Sequence, residues 1–214
     1  MSCHDLPSMS AIGSHGRTCC AHVLAWLESR DSAEKAIMPA GLPAEWLQQT
    51  FAWGPSRWPF FWCDLVAAET IDCGVFADLT QYLLTLRGYD VARVQLVERS
   101  HRSQTKHWAK VWRDAGCDPS VWIIDPETVY HEALAVDIGG VVRIFDPTEN
   151  VAVGSQTSTA GPPIRMRLVE SVGPANSVVR WNGVELRLGE WVDIPPARES
   201  RDESRHVAGP RWQL

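Results

Sequence analysis

Long apolar runs are the first thing missing from these 214 residues. No uninterrupted stretch of 18 apolar residues occurs, and a helix needs about 20 to cross a bilayer, so no membrane-spanning helix is expected. The opening residues, Met1-Ser2-Cys3-His4-Asp5, lack the basic stretch and apolar core of a cleaved secretion signal. Six cysteines without such a leader point to reduced thiols in a cytoplasm rather than to a disulfide framework. Basic charge is short as well. The 20 Lys and Arg face 26 Asp and Glu, a net charge of −6, which argues against a general nucleic-acid binder. Neither G-x-x-x-x-G-K nor G-x-G-x-x-G occurs, so nucleotide use is unsupported and no cofactor is expected. Cys3, His4, Cys19, Cys20 and His22 do not follow zinc-site spacing, so no metal is expected either.

What is present suits one globular domain. The chain is 45% apolar, too rich for disorder, and its 15 Gly and 14 Pro fall short of a low-complexity composition. Residues 1–20 are polar and irregular, residues 21–196 form the expected domain, and residues 197–214 make a charged tail. Helical spacing appears at 20–30, where Val23, Leu24 and Leu27 share a side, and a short helix is expected after Pro43. The clearest stripe is Val75, Phe76, Leu79, Tyr82, Leu83 and Leu86. It predicts a helix over 73–87 with Asp72 as N-cap and Gly88 as the stop. Asp78, Thr80 and Thr85 fall on its polar side and are expected to be solvated. Strands are expected at 91–98, 121–124, 130–136, 141–145, 164–169, 178–181 and 184–188, with a helix at 105–115. Asn182-Gly183 is the strongest hairpin signal, and the strands within 164–194 read as an extension of the main sheet.

Cys73 is singled out by position. At a helix start, free backbone N–H groups and the positive end of the helix dipole stabilise a thiolate, which predicts a lowered thiol pKa. The same N–H groups suit a developing oxyanion, and Gly74 leaves space beside the sulfur. A small buried cysteine starting a core helix is the plainer reading of the same position. A nucleophilic thiol needs a base, and the base needs an orienting acceptor. The strands at 130–136 and 141–145 flank Asp137-Ile138-Gly139-Gly140. A turn centred between Ile138 and Gly139 sets His131 opposite Asp146, on the same face.

These motifs together bring a resemblance. Cys at a helix start is followed by Leu86-Arg87-Gly88-Tyr89 and a strand, then by His131 on one strand and Phe145-Asp146-Pro147-Thr148 ending the next. This order resembles the transglutaminase-like branch of the papain-like cysteine enzymes, over about residues 62–150. The resemblance implies an α+β fold, with N-terminal helices and the Cys-bearing helix packed on an antiparallel sheet. It also implies Cys73 as nucleophile, His131 as general base and acid, and Asp146 as orienting group. Two features depart from the family pattern. Glu132-Ala133-Leu134 stands where many transglutaminases carry a Trp, and Val66, Ala67 and Ala68 stand where papain-type proteases place an oxyanion-hole Gln.

His107 and Asp125, symmetric about Gly116, imitate the same pair, but the helical spacing of 105–115 makes them the weaker assignment. Trp46, Trp53, Trp58 and Trp62 crowd a Pro-rich segment before the thiol, where they either wall an acyl-binding cleft or pack an irregular loop. Trp62, Trp58 and Trp53 are also the side-chain candidates for the cleft and its oxyanion donor. Trp26, Trp108 and Trp112 read as helix packing, and Cys63 and Cys117 as structural. The expected activity is thiol-dependent acyl transfer from a peptide, protein or small acyl or amide substrate, ending in hydrolysis, deamidation or transfer to an amine. The alternative is an inactive binding module that uses the Trp-rich loop for a peptide partner.

Overall fold

The strongest apolar stripe becomes the helix around which the rest is arranged. The computed structural model describes residues 21–37, 44–56, 60, 62–153, 161–173 and 178–196. The first 20 residues, read above as irregular, and the charged tail from 197 lie outside that set, as does Trp58. Ala21–Ile37 (α1), Ala44–Thr50 (α2) and Cys73–Leu86 (α3) are helices. Asp72 caps α3 in extended conformation, its carboxylate accepting the Val75 amide at 2.9 Å. Gly88, at φ +87°, ends the helix in the left-handed turn that a Cβ would strain.

Val91–Arg99 (β3) leads into Arg102–Asp114 (α4), and a 3₁₀ turn at Pro119–Val121 precedes Ile123–Asp125 (β4). Thr128–Ile138 (β5) and Val141–Asp146 (β6) form a hairpin, followed by Val151–Ala152 (β7) and Pro163–Leu168 (β8). Val178–Trp181 (β9), Val184–Arg187 (β10) and Val192–Asp193 (β11) complete the chain. The fold is α+β. Its main sheet has the order β11-β8-β3-β5-β6-β7, with β4 also on β5, and every pairing in it is antiparallel. Of the tail strands, β8 and β11 extend this sheet. β9 and β10 instead pair with each other, around Asn182-Gly183 at φ +46° and +80°, and just past β10 Leu188 makes a single parallel bridge to Leu168 of β8. Ala52–Trp53 (β1) and Thr70–Ile71 (β2) form a small parallel pair before α3.

Three apolar clusters hold these layers. Leu27, Trp46, Leu47, Trp62, Phe76 and Leu79 pack the helical side. Ala77 and Leu84 of α3 meet Leu134, Val136 and Phe145 of β5 and β6. Val94, Leu96, Ala133 and Met166 of the sheet pack with Val179 and Leu186 of the β9–β10 hairpin.

The polar side of α3 is not solvated as its sequence suggests. Asp78 and Thr80 are fully buried, whereas Thr85 is exposed. Asp78 is drawn inside by Arg93 of β3, whose guanidinium also pairs with Glu132 of β5. One buried cation thus ties the helix that starts at Cys73 to the two central strands.

Candidate active site

A cleft of about 1530 Å³ opens at the N-terminal end of α3. Cys73 and Gly74 line it from the helix start, His131 from β5 and Asp146 from the end of β6. His131 Nε2 and Asp146 Oδ2 lie 2.9 Å apart, and both residues are buried. The imidazole lies close enough to the Cys73 sulfur to pull the thiol's pKa down, and the thiolate in turn raises that of the imidazole. With Nε2 engaged by Asp146, Nδ1 is the ring nitrogen left for the sulfur. The rival pair is not assembled: His107 on α4 and Asp125 on β4 are both exposed, and neither lines the cleft.

The His131–Asp146 pair meets by a different register from the one expected. The ladder pairs Ile138 with Val141 and Leu134 with Phe145, so the turn is centred between Gly139 and Gly140, one residue later. Both glycines have positive φ, +63° and +85°, which is what a two-residue I′ turn demands and what Ile138 disfavours. Continuing that register sets Asp146 opposite Ala133, two residues from His131. The face is unchanged because the period of a strand is two, and the contact is therefore diagonal rather than direct.

Hydrogen bonds outside the triad hold Asp146 and the helix start that carries Cys73. Thr148 N–H donates to Asp146 Oδ1 at 2.8 Å, which is the local meaning of the Asp-Pro-Thr motif. Gln48 of α2 clamps the same turn, donating to the carbonyls of Pro147 and Thr148 at 3.1 and 2.7 Å. Ser56 receives the Asp72 amide at 2.9 Å and donates to Asp72 Oδ2 at 2.6 Å, docking the preceding loop on the helix start. Cys117 lines the cleft and donates its thiol to the Ser56 carbonyl at 3.4 Å. Gln48 and Ser56 carry no motif, and only their long-range partners reveal them.

The electrostatics differ from a simple helix-start thiolate. Burial of the sulfur pushes the Cys73 thiol above its ordinary value, against the downward pull of His131 and with help from the Asp72 and Asp146 carboxylates. This direction runs against the lowered pKa expected from the helix start. Burial also presses His131 toward its neutral form, but Asp146, the Cys73 thiolate and Glu98 together outweigh it and hold the imidazolium well above its usual range. Glu98, on β3, is the residue the sequence reading missed. It is buried in the cleft wall, its Oε2 has no hydrogen-bond partner, and burial raises its carboxyl to about 7. Nothing in the sequence set it apart, because the same strand also carries Arg93, Gln95 and Arg99.

The tryptophans divide otherwise than expected. Trp46 and Trp62 are fully buried in the helical core, with Trp62 edge-on to Tyr82 at 5.3 Å, and neither lines the cleft. Trp53 does line it, and there it meets Trp108, Trp112 and Trp122. Trp108 is half-buried and Trp112 buried, as expected of helix packing, and both also form part of the cleft wall. Among candidate oxyanion donors, the cap consumes the Val75 amide, and Phe76 N–H closes the first helical bond to Asp72 O. The amides of Cys73 and Gly74 remain as first-turn donors without an intrahelical acceptor. The indole N–H groups of Trp53 and Trp122 are buried without partners.

Among the described residues, no cluster of His, Cys, Asp and Glu is arranged to hold a metal ion. No helix among them is long and apolar enough to cross a membrane. No protein-family model, curated protein or solved structure matches this chain.

Proposed function

We propose that the chain is a thiol-dependent acyl-transfer enzyme in which Cys73, His131 and Asp146 act in the order of the transglutaminase-like and papain-like enzymes. The observation that carries this reading is the shared position of the three groups at one cleft, with His131 between the Cys73 sulfur and an Asp146 carboxylate 2.9 Å away. In the first step the Cys73 proton passes to Nδ1 of His131 as sulfur bonds to the substrate carbonyl carbon. The carbonyl π pair moves to oxygen, where the Cys73 and Gly74 amides are placed to receive it. Collapse of that intermediate expels the amine, alcohol or thiol, which takes the proton from His131 and leaves a thioester on Cys73. Water or an amine then attacks the thioester, His131 accepting its proton and returning it to the sulfur.

The raised thiol gives this mechanism a particular form. Both groups hold their protons tightly, so the reactive form is the one in which the pair shares a single proton, and from it the Cys73 proton passes to His131, which Asp146 and Glu98 make strongly basic. Asp146 keeps the Nε2 hydrogen bonded, so the Nδ1 lone pair faces the sulfur.

The test is intact-mass trapping with activated acyl esters and glutamine peptides, with Cys73→Ala as control. An adduct that forms on the native chain and is absent from the variant is expected, and ammonia release without an adduct assigns deamidation. In parallel, iodoacetamide should modify Cys73 in preference to Cys63 and Cys117, and His131→Ala should abolish that preference. Equal labelling of the three thiols, with no adduct and no turnover over a broad donor panel, overturns the enzyme reading in favour of a binding module.

A further inference from the structure

We propose that the cleft beside Cys73 recognises a cationic group on an apolar stem, the arginine or lysine side chain of a peptide substrate, and turns away acyl donors that carry phosphate. This rests on the acyl-transfer reading for the role of the thiol, but its evidence is the cleft wall. Trp53 comes from β1, Trp108 and Trp112 stand one turn apart on α4, and Trp122 follows the 3₁₀ turn. Their ring centroids are 4.8–6.0 Å apart, so the rings pack on one another and leave no slot between them. They therefore act as a continuous wall. Trp53, Trp108 and Trp122 remain partly accessible in it, a placement that costs apolar exposure unless a ligand covers it.

The charge around that wall has one sign. Asp72, Glu98, Asp118, Glu132, Asp146 and Glu149 line the cleft, and among the described residues His131 is the only cationic side chain facing them. Among the described residues of the lining there is neither Lys nor Arg, although the chain holds 20 of them. Asp146 is engaged by His131 and Glu132 by Arg93 from behind, yet the field that reaches the cleft stays negative. A long cationic side chain satisfies both halves: its methylenes lie along the indoles, and its head meets π faces and carboxylates. A phosphate entering the same space finds no guanidinium or ammonium among the described lining residues and several like charges.

The experiment uses the full-length chain and three chloroacetylated dipeptide amides, Ala-Arg, Ala-norleucine and Ala-phosphoserine. Each alkylates Cys73 by thiolate displacement of chloride. The second-order rate constants are read by mass spectrometry and divided by the rates with free cysteine. The arginine probe should exceed the phosphoserine probe by about tenfold or more, with norleucine between them. Trp108→Ala should lower the arginine and norleucine rates together, and Glu149→Gln should narrow the gap between arginine and norleucine. Equal rates for the three probes, or a faster phosphoserine probe, overturn the proposal.

A second arm separates this proposal from the chemistry it rests on. Calorimetric binding of the acetylated dipeptides to Cys73→Ser needs no reactive thiol and should give the same order. Loss of all alkylation with that order intact removes the enzyme reading and keeps the recognition site. Selective alkylation of Cys73 without the order does the reverse.

Discussion

Arg93 offers the most demanding test of how the helix bearing Cys73 is held. Its side chain is 8% exposed and lies between Asp78 of α3, at 0%, and Glu132 of β5, at 5%. Arg93→Met removes the only cation from this group and leaves two carboxylates inside. Removing one partner of a buried ion pair costs about 3–5 kcal/mol, a large share of the roughly 5–15 kcal/mol that holds a domain. In a chain of this size that loss lowers the midpoint of thermal unfolding by roughly 6–20 °C. The cost depends on the carboxylates being charged. They bind protons more tightly in the variant's folded state than in its unfolded state, so the deficit should grow as pH rises from 4 to 7 and shrink as it falls. Urea unfolding at several pH values reads this directly as a shift in midpoint at constant m. The triple replacement Asp78→Leu, Arg93→Met and Glu132→Met removes the charges together and should recover most of the loss. The residual deficit should be about 1 kcal/mol, from the Tyr130 hydroxyl, which donates to Glu132 at 2.5 Å. The reasoning fails if Arg93→Met costs under about 1 kcal/mol at pH 7, or if the triple variant is no more stable than the single one.

Three further outcomes follow from the cleft's titrating groups. Glu98 has a folded-state pKa of about 7 against an ordinary 4.5, so its contribution to stability is complete below about 4.5 and is lost as pH rises through 7. Its replacement by Gln should flatten the urea-midpoint profile across that window, by at most roughly 3 kcal/mol, and an unchanged slope refutes the assignment. His131→Ala removes the group that pulls the Cys73 thiol down, so the pH midpoint of iodoacetamide labelling at Cys73 should move further into the alkaline range. A downward movement there contradicts the contact. Asp72→Asn keeps a capping side chain on α3 but removes a charge that holds the thiol up. Labelling should then begin at lower pH with thermal stability little changed. A large loss of stability shows instead that the Ser56–Asp72 bonds, rather than the cap, secure the helix start.

Local chemistry alone accounts for much of this molecule. The bounds of α3 follow from an apolar stripe, a capping Asp and a left-handed Gly, all read within a few residues of one another. The Asn182-Gly183 hairpin is equally local. So is the face shared by His131 and Asp146, because a two-residue period survives a shift of the turn by one position. Whether the strands meet at Ile138-Gly139 or Gly139-Gly140 was a matter of which residues accept positive φ, a preference the sequence contains but a symmetry argument overlooks.

Other features belong to the tertiary structure, since they depend on what a side chain meets from distant segments. Asp78 has the spacing of a solvated residue and is buried because Arg93, 15 residues on, neutralises it. Trp108 and Trp112 look the same on a core helix as on a cleft wall until Trp53 and Trp122 arrive beside them. The Cys73 thiol shows the limit most directly. Its place at the helix start is local and favours the thiolate, but desolvation is set by everything packed around the sulfur, and desolvation is the larger force.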